Sequence, residues 1–158
     1  MKLSNLLVVL TLAFSAQTLT GCAGLRASSA RHAHIEKETE AFTYSKSLST
    51  VWPRARQILF AAGFEVKDTD ASNAETSWKF DGAYRTRYLV SGFAIDESTC
   101  KVQFTKASQQ KKEDGGWYQP DIERDLEMEW KLLREVSPDA GAKIKKDADV
   151  KGEEARKG

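Results

Sequence analysis

The sequence predicts a two-layer α+β domain, and three observations carry that expectation. Between Phe42 and Thr105 apolar and polar residues alternate in short runs, the period of half-buried strands. Two stretches, at 49–62 and 121–136, instead place apolar residues three and four apart, as a helix with one buried face requires. Short turn-rich segments separate the strands, which suits antiparallel pairing, and both helices then pack most economically on one face of the sheet. The expected order is β-α-β-β-β-β-α.

Phe42 and Tyr44 alternate with Thr43 and Ser45 as a first short strand. Ser49 or Thr50 can cap the helix that follows, with Pro53 in its first turn, where a missing N–H costs little. Val51, Ala55, Ile58, Leu59 and Ala62 form its apolar stripe beside Trp52, and Gly63 can end it in the left-handed region. Phe64 and Val66 resume the alternation, and Asp68 to Asn73 turns. Thr76, Trp78 and Phe80 read as the inward residues of one strand. Asp81-Gly82 is a hairpin signal, leading to strands at 84–93 and 100–105. The segment 106–120 reads as a polar loop. Asp121 can cap the last helix, whose face is Ile122, Leu126, Trp130, Leu132, Leu133 and Val136, and Ser137-Pro138 stops it.

The ends of the chain have a different composition. Lys2 is followed by the apolar run Leu6 to Phe14 and then by Leu19-Thr20-Gly21-Cys22. A positive start, a short apolar core and a small residue before a cut form a secretory signal. The core falls short of the roughly 18 residues a bilayer span needs. The expected organisation is a signal peptide at 1–21, a flexible tether at 22–40, the α+β domain at 41–137 and a polar tail at 138–158, with a turn at 140–144 and disorder from Lys145 onward. Of 24 basic side chains only Lys2 is lost with the signal, which leaves 23 against 23 acidic ones. So balanced a charge gives no global attraction to nucleic acid.

Leu19-Thr20-Gly21-Cys22 resembles the lipobox of bacterial lipoproteins. That resemblance implies acylation of Cys22 and anchorage in a membrane, with two or three chains on one residue supplying the stable attachment that one chain lacks. An ordinary secreted protein with Cys22 paired to Cys100 is the alternative. Val51-Trp52-Pro53-Arg54-Ala55, Ala62-Gly63-Phe64-Glu65-Val66, Thr76-Ser77-Trp78 and Tyr84-Arg85-Thr86-Arg87-Tyr88 together resemble the helix-grip domains of the BamC family. Those are lipoproteins of the outer-membrane β-barrel assembly machinery. The resemblance covers roughly residues 42 to 136, and it implies a single helix-grip domain where BamC has two.

No nucleophile elbow, phosphate loop or zinc signature occurs in the chain. The expectation is therefore a non-enzymatic protein without cofactor or metal. His32 and His34 are tether residues with no cysteine or carboxylate cluster of metal-site spacing. Cys100 alternates with Val102 and Phe104 and packs inward as a small hydrophobe. Trp117 and Tyr118, after Gly115-Gly116, either anchor a partner or fold back over the sheet edge. Arg85 and Arg87 share one strand face as further candidate contacts. Asp125 and Glu129 fall within the apolar arc of the last helix and need cations; Arg85 or Arg87 is the expected partner. The expected function is a lipid-anchored accessory protein on the periplasmic side of the outer membrane, binding a protein partner in envelope assembly. A lipid- or small-ligand carrier, with a cavity between helix and sheet, is the alternative.

Overall fold

The computed structural model describes residues 4–158, with side chains from Ala23 onward. The signal and lipidation expectations, including Cys22, rest on side chains outside the described residues. The architecture is α+β, an open six-stranded antiparallel sheet with four helices. The chain divides into two compact units, Met1–Lys37 with Lys143–Gly158, and Glu38–Ala142.

The first unit is helical where the sequence suggests a tether and a tail. Helix α1 runs Ser4–Ala41 and helix α4 runs Pro138–Lys157. Small side chains make their contact: Ala27 and Ala148 are almost fully buried, and a Cβ on Gly152 would lie 3.0 Å from the Ala27 carbonyl oxygen. Arg31 ties the pair by ion pairs of 3.2 Å to Asp149 and to Glu153. Interfaces built from alanine and glycine leave almost no hydrophobic period to read. His32, exposed in α1, lies 3.1 Å from Glu36.

In the second unit, helix α2 (Leu48–Ala61) has Ser47 at its N-cap position, with no side-chain capping hydrogen bond, rather than Ser49 or Thr50. Pro53 therefore lies inside the helix, beyond its first turn. Gly63, with φ +80°, supplies the left-handed residue after it. The first expected strand is reduced to one bridge, Tyr44 to Cys100. Strands β1 (Val66–Asp68), β2 (Asn73–Thr76), β3 (Lys79–Asp81), β4 (Tyr84–Ala94), β5 (Cys100–Gln110) and β6 (Asp121–Arg124) follow. Their order across the sheet is β1-β2-β4-β5-β6, with β3 beside β4. The β4–β5 hairpin pairs over its whole length and takes residues 106–110, a third of the expected polar loop.

Helix α3 spans Leu126–Val136 and is capped by Asp125, not Asp121; residues 121–124 pair with β5 instead. Both α2 and α3 pack on one sheet face. The core between the layers holds Val51, Trp52, Ala55, Leu59 and Leu132 against Tyr88, Val90, Cys100, Val102 and Phe104. Gly92 lets α2 lie close, since a Cβ there would meet Leu48 at 2.6 Å.

Candidate partner-binding face

The other face of the sheet carries the odd-numbered residues of β4 and β5. Register places Arg85 opposite Gln109 and Phe80, Arg87 opposite Ala107, and Leu89 opposite Thr105. Trp78 and Phe80 belong to this face and not to the core, which corrects the expectation from their alternation with Thr76. The cause is a one-residue bulge. Glu75 faces Leu89, but four residues later Lys79 faces Thr86, only three residues back along β4. The slip reverses the phase. Thr76 Oγ1 accepts the Tyr88 N–H at 2.9 Å, filling the gap in the ladder.

The bulge delivers Trp78 to the two arginines. The Arg85 guanidinium lies 4.5 Å from the Trp78 ring centre and 4.1 Å from that of Trp117, within cation–π range of both indoles. Arg87 lies 4.9 Å from Trp78, and Phe80 meets Trp117 edge to face at 5.8 Å. Contacts of this kind contribute about 0.5–1 kcal/mol each at exposed sites. Arg85 Nε donates to Gln109 Oε1 at 2.8 Å, and Gln109 Nε2 donates to the Tyr118 carbonyl at 2.7 Å. This chain of bonds fastens the 111–120 loop to the sheet.

Three of the four candidate contacts, Arg85, Arg87 and Trp117, are thus brought together. Trp117 folds back over the sheet, while Tyr118 is 54 % exposed with Lys112 Nζ 5.5 Å from its ring. Trp78, Phe80 and Gln109 complete the cluster and escaped sequence reasoning, because the bulge that aims the first two has no glycine to mark it.

The acidic pair has other partners. Glu129, 3 % exposed, receives Arg124 Nε at 2.8 Å and Nη2 at 2.7 Å, and the Phe104 N–H at 3.2 Å. Asp125 caps the Met128 N–H at 3.0 Å and accepts the Tyr88 hydroxyl at 2.7 Å. Arg85 and Arg87 project from the opposite side of the sheet, so the expected pairing with these acids does not occur. Arg124 was invisible as a partner while residues 121–124 read as helix. The Arg124 guanidinium is held above its ordinary range, chiefly by the hydrogen bond to Glu129.

Burial pushes the Cys100 thiol up, and no part of that side chain is exposed. Among the described residues no group of three or more His, Cys, Asp or Glu is placed to hold a metal ion. Comparison of the chain with known protein families, characterised proteins and solved structures finds no match.

Proposed function

We propose that this protein is a lipid-anchored accessory protein on the periplasmic side of the outer membrane, acylated at Cys22, which binds a protein partner in envelope assembly. The observation that carries the reading is the Trp78–Arg85–Trp117 stack on a sheet face that no helix of its own unit covers. Arginine and tryptophan dominate the energetics of protein interfaces, and a stack already in place pays little ordering entropy on binding. Exposed Phe80 and Ile122, at 63 % and 60 %, add apolar area to the same face. The space between sheet and helices is filled by Trp52, Leu59 and Phe104, which favours a binding surface over a carrier cavity. The lipobox and the resemblance to BamC-type domains supply the anchor and the setting.

Two measurements test the reading. Labelled palmitate should enter the wild-type chain and not Cys22→Ser. Chemical crosslinking in envelope membranes should join the chain to a protein partner, and Arg85→Ala with Trp117→Ala should abolish the product. Acyl label on Cys22→Ser, or crosslinks indifferent to the double substitution, would overturn it.

A further inference from the structure

We infer that the partner presents carboxylates among apolar side chains, and that Arg85 is the group that receives them; the inference rests on the partner-binding reading above. Charge on the outer face points this way. Strands β2, β4 and β5 place Arg85, Arg87 and Lys101 there, and Glu75 as the acid. Glu75 is engaged, 3.7 Å from Arg87 Nη1. Arg85 has no carboxylate within ion-pair distance among the described residues, and its hydrogen bond goes to the neutral Gln109.

The geometry of Arg85 makes it a receptor rather than a solvated cation. Its Nε is committed to Gln109, which leaves the Nη1–Nη2 end of the fork. Both indoles lie within cation–π range of the guanidinium carbon, at 4.5 and 4.1 Å, and the free end can still meet a carboxylate through two parallel hydrogen bonds in the guanidinium plane. A lysine ammonium would neither stack so nor present a fork.

Apolar groups surround the fork on the same face. Phe80 pairs with Arg85 itself, Leu89 lies two residues beyond Arg87, and Phe93 pairs with Lys101. They are 63 %, 37 % and 49 % exposed. Arginine flanked by aromatic side chains is the composition of a protein interface. A bilayer surface would instead be met by apolar groups projecting from one edge, whereas this fork lies on a central strand of the sheet.

The test uses the full chain in neutral detergent micelles and measures fluorescence anisotropy of two labelled peptides, one repeating Glu-Phe-Glu-Gly and one repeating Lys-Phe-Lys-Gly. The acidic peptide should bind about tenfold more tightly or better, a gap of about 1.4 kcal/mol. Arg85→Lys, which keeps the charge, should lose about tenfold for the acidic peptide. Trp117→Ala should weaken it as well, and an unchanged urea midpoint for Arg85→Lys shows that folding is intact. Equal binding of both peptides, indifference to Arg85→Lys, or affinity confined to phosphatidylglycerol nanodiscs overturns the inference. If a photocrosslinker at Phe80 still captures a protein in membranes, only the carboxylate chemistry falls; if it captures none, the partner reading falls with it.

Discussion

Tyr88 donates its hydroxyl to Asp125 Oδ2 at 2.7 Å, joining the central strand β4 to the first turn of α3. The same aspartate caps the helix through its other oxygen. One side chain thus sets both where α3 begins and how it sits on the sheet.

Burial, then the hydrogen bond to Asp125, pushes the Tyr88 phenol well above its ordinary range; Tyr44 is pushed the same way, chiefly by burial. In the unfolded chain both phenols ionise near pH 10 while the folded chain keeps them protonated. Folding is therefore favoured fully below about pH 10, and stability falls as pH rises beyond it. Tyr88→Phe should flatten that alkaline loss. It should also cost about 1.5–3 kcal/mol at neutral pH, the worth of a hydrogen bond to a charged group. Urea melts across pH 7 to 11 measure both effects.

Arg124→Ala should be the most damaging substitution of a partly exposed residue, because it leaves Glu129 buried without its cation. A loss of about 3 kcal/mol is expected. Replacing both residues with methionine should recover most of it, since the cost lies in the orphaned charge. A double-mutant cycle between Arg85 and Glu129 should give coupling within about 0.5 kcal/mol, the scatter of independent sites. Denaturant midpoints of the full chain report all of these.

Cys100 should resist alkylation in the folded protein. Its thiol is fully buried and held protonated, and only the thiolate reacts. Iodoacetamide followed by peptide mass mapping should find residue 100 unmodified in buffer and modified in urea.

How far the sequence reveals this molecule depends on where side-chain periodicity is the controlling force. Val51, Ala55, Ile58 and Leu59 announce α2, and Cys100, Val102 and Phe104 announce β5, because each row meets one large apolar layer. The α1–α4 contact gives no such signal, since Ala27, Ala148 and Gly152 pack by closeness and not by hydrophobic bulk. Strand β6 was hidden because Asp121, Ile122, Glu123 and Arg124 fit a helical first turn as well as a strand; pairing with β5 decides it. For the candidate face, Arg85, Arg87 and Trp117 were legible as chemistry. Their convergence was not, because it depends on a one-residue slip between Glu75 and Lys79.

The central claim is that the outer sheet face holds a protein partner, and site-specific photocrosslinking tests it most directly. A benzophenone amino acid replaces Phe80, on that face, or Phe60, which is 76 % exposed on α2 in the other layer. After irradiation of envelope membranes, the account predicts a discrete protein adduct from position 80, lost on Arg85→Ala, and none from position 60. Adducts from position 60 alone, or adducts from position 80 that survive Arg85→Ala unchanged, would contradict it.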